Sequence, residues 1–312
     1  MMMAGSNQAD QGLLVGLMTP NVFASEHCDM ETLSVAAKIA DEGGFDHLWV
    51  GDHILWHIPV LDPIVTLGVL AGKTERVTIG TLVLQLPLRA PVLVAQSFAT
   101  LSHLTGGRVA LGVGVGGEWP QEFEAAGVPV EERGARTNEG LRMLRHLWAG
   151  EAEQGKFYES PGVAVQPPPV KPIPIYVGGR SDAALRRASR EDGFIGYLQT
   201  PKKLAEASAK IAELGSPKPG YRLGMQFMTR IEDTKEEAVK LATEALGRTY
   251  GAEDVSPFER YVAAGTPEQV AEFVQGYIDG GLNLASFYLH GEGWSEQAER
   301  LSKEVLPLLR AG

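Results

Sequence analysis

The sequence predicts a (β/α)8 TIM barrel with loop insertions at its C-terminal face. Three observations lead to this fold class. Eight short apolar runs are spread along the 312-residue chain, amphipathic segments separate them, and two longer irregular stretches interrupt the rhythm. Short strands that alternate with helices are typical of repeated βα units around a parallel sheet, and eight such units close a barrel.

The apolar runs have the length and the content of branched and aromatic residues expected of buried parallel strands. They occupy residues 13–19, 47–50, 77–84, 108–115, 173–179, 193–198, 222–230 and 284–290. Because both faces of such strands are covered, we expect them to form the wall of the barrel.

The segments between the strands show helical spacing. Their apolar residues recur near i, i+3 and i+4, and most of them stop at glycine, as helices that end in a left-handed residue do. No change of composition marks a linker, so we expect residues 12–312 to form a single domain after a flexible tail, residues 1–11. The clearest helical stretches are 30–44, 91–107, 136–150, 181–193 and 266–281.

Two stretches, 153–172 and 247–265, fit neither pattern. Long loops on a barrel commonly form the walls or lids of the site. We expect both stretches to lie near the C-terminal ends of the strands.

Composition excludes several classes of protein. The net charge of −11 disfavours binding of nucleic acid, and the single cysteine, Cys28, excludes an intrachain disulfide framework and cysteine-based metal sites. The seven histidines show no metalloprotease motif, so no metal site is predicted. The first residues lack the pattern of a signal peptide and no run is long enough to span a membrane, so we expect a cytoplasmic protein.

The first candidate site follows the second apolar run. Asp52 and His53 stand between Trp49 and Trp56, where a barrel carries its catalytic groups. His53 could transfer a proton or hydrogen-bond a ring, Asp52 could tune it, and the two tryptophans could wall a substrate pocket. Alternatively, Asp52 caps a helical turn and His53 is a packing residue.

The second candidate is the glycine-rich stretch "GVGVGGEWPQEF" at 112–123. Gly114 and Gly116 would let a flat ligand approach the backbone, and Glu118 is a candidate proton donor or polar contact. The spacing does not match a dinucleotide-binding fingerprint. Alternatively, Glu118 is an exposed loop carboxylate.

A third candidate, "YVGGRSDAAL" at 176–185, predicts an anion site. Gly178 and Gly179 precede Arg180, and Ser181 begins a helix, so free amides, a hydroxyl and a guanidinium converge. Alternatively, Ser181 only caps its helix while Arg180 faces water.

A fourth stretch lies at the end of the third apolar run. Leu82, Val83 and Gln85 could back a flat ring, although each could equally be a core residue.

Several blocks together resemble one known family. "GFDHLWVGDHI", "TIGTLVLQLPLRAPVLVAQSFATLSHLTGGRVALGVGVGGEWPQEFEAAGVP", "PIPIYVGGRSDAALRRASREDGF" and "GTPEQVAEFVQGYIDGGLNLASFYLH" are similar to the bacterial luciferase-like flavin and deazaflavin oxidoreductases. The resemblance extends from about residue 13 to residue 310, with the blocks in the family's order.

This resemblance implies a barrel that binds a flavin or a deazaflavin at its C-terminal face. It implies that Asp52 and His53 lie beside the ring and that a bulge at about Leu82 and Val83, often with a non-proline cis peptide, backs it. The remaining cofactor contacts that it implies are Gly114, Gly116 and Glu118 near the ring, and Gly178, Gly179, Arg180 and Ser181 at the phosphate.

The family divides by cofactor. The "WVGDH" and "GVGVGGE" stretches favour the branch that uses coenzyme F420 and transfers hydride to or from a small, mostly apolar organic substrate. The alternative is a monooxygenase that uses FMN reduced by a separate cofactor reductase, and a lesser one is a non-catalytic flavin-binding protein. The family also implies a homodimer. A Schiff-base aldolase is disfavoured because no lysine follows a predicted strand.

Overall fold

The structure, a computed structural model, describes residues 12–23, 27–215 and 217–311. The predicted tail, residues 1–11, lies outside the described residues. In chain order the strands are β1 (Leu14–Met18), β2 (His47–Val50), β3 (Thr78–Gln85), β4 (Val109–Gly114), β5 (Ala152–Gln154), β6 (Glu159–Pro161), β7 (Ile175–Gly178), β8 (Gly193–Tyr197), β9 (Arg222–Ile231), β10 (Val262–Gly265) and β11 (Leu284–Leu289).

Eight of these strands close a parallel barrel, as the sequence predicts. The order around the barrel is β1, β2, β3, β4, β7, β8, β9 and β11, and β11 pairs with β1 again. The first part of β9 pairs with β8, and its last four residues pair with β10, which the sequence pattern did not predict as a strand.

Helices cover the outside of the barrel. They begin with side-chain caps at several positions, and Thr266 and Gln269 form a reciprocal capping box at the start of the helix Pro267–Ile278. The helices are α1 (Met30–Glu42), α2 (Pro63–Ala71), α3 (Pro91–Leu104), α4 (Pro120–Ala125), α5 (Arg133–Ala149), α6 (Asp182–Ala188), α7 (Pro201–Leu214), α8 (Lys235–Tyr250), α9 (Pro267–Ile278), α10 (Trp294–Arg300) and α11 (Leu306–Ala311).

The two irregular stretches contain more regular structure than the sequence indicates. The antiparallel hairpin β5–β6 covers the start of the first stretch, where the buried carboxylate of Glu139 accepts three backbone N–H bonds, from Lys156, Phe157 and Tyr158. The second stretch contains the end of α8, a 3₁₀ turn (Ser256–Tyr261) and β10. The turn of the hairpin is held by Glu139 and β10 pairs with β9, and both of these partners lie outside the two stretches, where local pattern does not reveal them.

The barrel interior holds its own apolar cluster, separate from the larger core between strands and helices. Trp49 belongs to this cluster and is fully buried. A Cβ atom at Gly16 would lie 2.8 Å from Trp49 Cδ1, and one at Gly80 would lie 2.7 Å from Trp49 Cζ3. The glycines of the two flanking strands therefore make room for the indole inside the barrel.

Residues 12–23, 27–215 and 217–311 contain neither a metal-binding cluster nor a membrane-spanning helix. In these ranges no group of three or more His, Cys, Asp or Glu side chains could hold a metal ion. No helix within them is long and apolar enough to cross a lipid bilayer.

Candidate active site

A cleft opens at the C-terminal ends of the barrel strands. Its volume is about 250 Å³, near the lower bound of roughly 300 Å³ for small-molecule sites, which suits a small ligand better than a polymer. Most of the residues singled out from the sequence line it, namely Asp52, His53, Trp56, Leu82, Val83, Gln85, Gly114, Gly116, Glu118, Gly178, Gly179 and Arg180.

Two of the predicted residues do not line the cleft, and the first irregular stretch, 153–172, contributes no residue to it either, because that stretch leads into the N-terminal end of β7. Trp49 is enclosed in the barrel interior, where its ring stacks on His47 at a centroid distance of 4.7 Å. Ser181 is exposed and accepts a hydrogen bond from the Ala184 amide as the N-cap of α6. The substrate-pocket prediction for Trp49 is corrected because the glycines beside it place the indole below the cleft.

His53 is held by a carboxylate that the sequence analysis did not single out. Its Nδ1 lies 3.1 Å from Oε2 and 3.2 Å from Oε1 of Glu122, on the short helix α4. Its ring stacks on Trp56 at a centroid distance of 3.9 Å. Since a carboxylate accepts and does not donate, Nδ1 carries the proton of the neutral ring, and Nε2 is the nitrogen that can accept one.

Glu122 is fully buried and collects donors from several segments. Its Oε1 accepts from the amides of Ile54 at 2.6 Å and Leu55 at 3.2 Å, and its Oε2 accepts from Gln85 Nε2 at 3.1 Å. Burial raises the pKa of the Glu122 carboxyl, but hydrogen bonds from His53, Gln85 and Leu55 outweigh it, so the pKa lies below its ordinary value. Glu122 is therefore an anion at neutral pH beside His53.

Asp52 faces a different partner from His53. Arg89 donates to its two carboxylate oxygens at 2.6 and 2.8 Å, and the backbone N–H of Gln85 donates to Asp52 Oδ2 at 2.8 Å. Burial raises the pKa of the Asp52 carboxyl, while the Arg89 guanidinium opposes that rise. The carboxylate that contacts the imidazole is thus Glu122, and Asp52 ties the end of β2 to the end of β3 and the turn that follows it.

The end of β3 is irregular where the sequence analysis expects a bulge. The register between β3 and β4 shifts between Thr81 and Leu84, and the Leu82–Val83 peptide is cis. A Cβ atom at Gly114 would lie 2.5 Å from Val83 Cγ2, and one at Gly178 would lie 2.8 Å from Val83 Cγ1. These glycines line the cleft and also make room for Val83 to project between them.

Gln85 leaves one acceptor without a partner. Its Nε2 donates to the Asp52 carbonyl and to Glu122, but its buried Oε1 has no hydrogen-bond partner among the described residues. A Cβ atom at Gly116, where φ is +61°, would collide with this oxygen. Glycine at this position adopts the positive φ and leaves the space that Gln85 Oε1 occupies at the edge of the cleft.

The far side of the cleft carries tyrosines. Tyr197 ends β8, Tyr250 ends α8 and Tyr288 lies in β11, and all three line the cleft. The Arg180 guanidinium lies 5.9 Å from the centroid of the Tyr197 ring. Glu118 is exposed at the same rim, and its charge acts on both Tyr197 and Tyr250.

Sequence reasoning missed Glu122, Arg89 and the tyrosines. Glu118, Glu122 and Glu124 stand in one short acidic segment, and no local pattern shows which of them turns towards His53. Tyr197 and Tyr288 lie at or near the C-terminal ends of barrel strands, a position that could have marked them as cleft residues.

The fold and cleft agree with the sequence comparisons. The luciferase-like monooxygenase family model matches residues 15–284. The chain belongs to this family. An uncharacterised protein of Mycobacterium tuberculosis (strain ATCC 25618 / H37Rv) is 40% identical over 62% of this chain and 74% of its own length. An F420-dependent glucose-6-phosphate dehydrogenase of Kineococcus radiotolerans is 31% identical over 87% of this chain and 90% of its own length.

Solved structures share the architecture. A monooxygenase of Streptomyces bottropensis superposes with a TM-score of 0.82 and 22% identity over 95% of this chain and 99% of its own. Membership of the family and the F420-dependent relatives make this protein an oxidoreductase. Its luciferase-like barrel is the one that the sequence resemblance predicts.

Proposed function

We propose that the protein transfers hydride between coenzyme F420 and a small, mostly apolar organic substrate. One observation carries the proposal: His53 lines the cleft with Nδ1 held by the buried anion Glu122, which leaves Nε2 able to exchange a proton. A hydride transfer at an organic carbon needs such a partner for the accompanying proton. The relative from K. radiotolerans, named as F420-dependent, supports the choice of cofactor.

The residues of the cleft fit a flat ring with a phosphate-bearing tail. Gln85 Oε1 is a buried acceptor that has no partner among the described residues, which suits a ring N–H, and Val83 with Gly114 and Gly116 offers a surface without long side chains. Gly178, Gly179 and Arg180 would hold the phosphate, with Ser181 at the helix start beside them. When bound, the cofactor supplies the ring carbon that takes or gives the hydride.

The chain's own groups then manage the proton and the position of the substrate. In the oxidative direction, His53 Nε2 accepts the proton of a substrate hydroxyl, and the Glu122 anion stabilises the imidazolium. Trp56 packs on the imidazole and walls the pocket, while Glu118 is a second group that could carry a proton at the rim. Asp52 acts as a positioning residue through Arg89.

An FMN-dependent monooxygenase is the second candidate, and one observation favours it. Arg180 is the one lysine or arginine among the residues that line the cleft in the described part of the chain, whereas the oligoglutamate tail of F420 is strongly anionic. In that case a separate reductase would supply reduced FMN, and the cleft would have to exclude water. A homodimer in the cytoplasm also belongs to the proposal and rests on the family resemblance.

The proposed cofactor is tested by titrating the purified protein with F420 and with FMN and following fluorescence. We expect saturable binding of F420 in preference to FMN. Arg180→Ala should weaken it about ten-fold, as expected for loss of a charge-assisted bond, and exposed Arg190→Ala, the matched control, should not. Preference for FMN supports the second candidate, and binding of neither contradicts both.

A further inference from the structure

Two tyrosine hydroxyls meet on the wall of the cleft. The Tyr197 hydroxyl donates to the Tyr250 hydroxyl, and their ring centroids lie 6.4 Å apart. Phe258 packs on the other side of Tyr250, with a centroid distance of 6.2 Å. The pair therefore joins the end of β8 to the end of α8 at a fixed place on the cleft wall.

This pair has a hydrogen-bond donor left over. The contact uses the proton of Tyr197, so the proton of Tyr250 needs another acceptor, and none of the described residues provides one. Tyr288 lines the same wall of the cleft. Burial raises the pKa of all three phenols, so they stay neutral and keep their protons at physiological pH.

The cleft carries little positive charge. Among the cleft-lining residues in the described ranges, Arg180 is the one lysine or arginine. The chain segments outside the described ranges contain none in their sequence. The proposed function assigns Arg180 to the cofactor phosphate, and the Glu118 charge repels a second anion near Tyr197 and Tyr250.

We propose that the Tyr197–Tyr250 pair binds the oxygen of an uncharged alcohol or ketone substrate, and that the cleft rejects phosphorylated sugars. This inference rests on the proposed function and narrows its substrate class. It separates this chain from the relative named a glucose-6-phosphate dehydrogenase. In the oxidative direction, the alcohol carbon gives a hydride with its two electrons to coenzyme F420, the hydroxyl proton passes to His53 Nε2, and the C–O bond becomes a carbonyl.

The test measures binding of two probes to the protein loaded with F420. Isothermal titration is carried out with cyclohexanone and with glucose 6-phosphate, on the wild type and on Tyr197→Phe and Tyr250→Phe, which keep the rings. Tyr261→Phe, outside the cleft, is the matched control. Thermal melting of each variant confirms folding, and a separate F420 titration of each reports the proposed cofactor function independently.

We expect cyclohexanone to bind and each cleft variant to weaken it about five-fold, as loss of one hydrogen bond predicts, while the control does not. Glucose 6-phosphate should neither bind nor be oxidised. Binding or turnover of glucose 6-phosphate overturns the inference. So does a wild type that does not bind cyclohexanone, and so does a cyclohexanone affinity that is the same in the wild type and in all variants. Absence of F420 binding in the wild type instead contradicts the proposed function.

Discussion

Replacing Glu122 by glutamine is the sharpest perturbation of the site. In the wild type its two oxygens accept from the amides of Ile54 and Leu55, from His53 Nδ1 and from Gln85 Nε2. The glutamine oxygen can keep the two backbone donors. Its NH2 group must then face the two side-chain donors, His53 Nδ1 and Gln85 Nε2, each of which lies 3.1 Å from Oε2 in the wild type.

The cost follows from this geometry. Two hydrogen bonds to a buried charge are lost, and each such bond contributes roughly 1.5–3 kcal/mol. Because the glutamine can rotate or shift to recover part of this, we expect the free energy of unfolding to fall by about 2–4 kcal/mol. The proton of the neutral His53 ring is also no longer held on Nδ1, since the neighbouring group now donates.

Urea unfolding at pH 7.5 measures the stability change, and nitrogen NMR of the labelled imidazole shows which ring nitrogen carries the proton. Glu124→Gln, an exposed carboxylate on the same helix, is the matched control and should change the free energy of unfolding by less than about 0.5 kcal/mol. An unchanged stability and an unchanged His53 tautomer in Glu122→Gln would refute the assigned network.

Two further perturbations test the floor of the cleft and the acid response. Gly178→Ala places a Cβ atom 2.8 Å from Val83 Cγ1, so we expect the free energy of unfolding to fall by about 1–3 kcal/mol and F420 to bind more weakly. Gly276→Ala, which has open space around its Cβ atom, serves as the control in thermal melting and F420 titration. Equal effects of the two substitutions would contradict this packing. Burial lowers the pKa of His290 to about 3, so the unfolded chain takes up its proton below about pH 6.5 and the folded protein does not. Stability should therefore fall by about 3 kcal/mol between pH 7.5 and 4.5 through this group, and His290→Gln should remove that share; an unchanged pH dependence in urea unfolding would exclude it.

The strands were predictable because each is a buried apolar run. Observed ends differ from the predicted ones by two residues at most, as at β7, where the run 173–179 contains the strand Ile175–Gly178. The hairpin β5–β6 and the strand β10 could not be predicted in the same way. β10 is stabilised by pairing with the last four residues of β9, which is a contact distant in sequence.

The site was predictable where position along a strand decides it. His53 and Arg180 follow strands, and a barrel brings such residues to one face. Glu122 was not predictable because it reaches His53 from a short helix 69 residues further on. The prediction that Trp49 lines the substrate pocket was wrong. The residue pattern of a four-residue strand does not show that glycines on the neighbouring strands make room for an indole inside the barrel.

The most direct test of hydride transfer is an anaerobic assay with F420 and a panel of uncharged alcohols and ketones, followed by the loss or return of deazaflavin absorbance. We predict turnover without oxygen that His53→Ala reduces at least about a hundred-fold, as removal of a general acid–base group does. Turnover that occurs only with reduced FMN and oxygen would contradict the account.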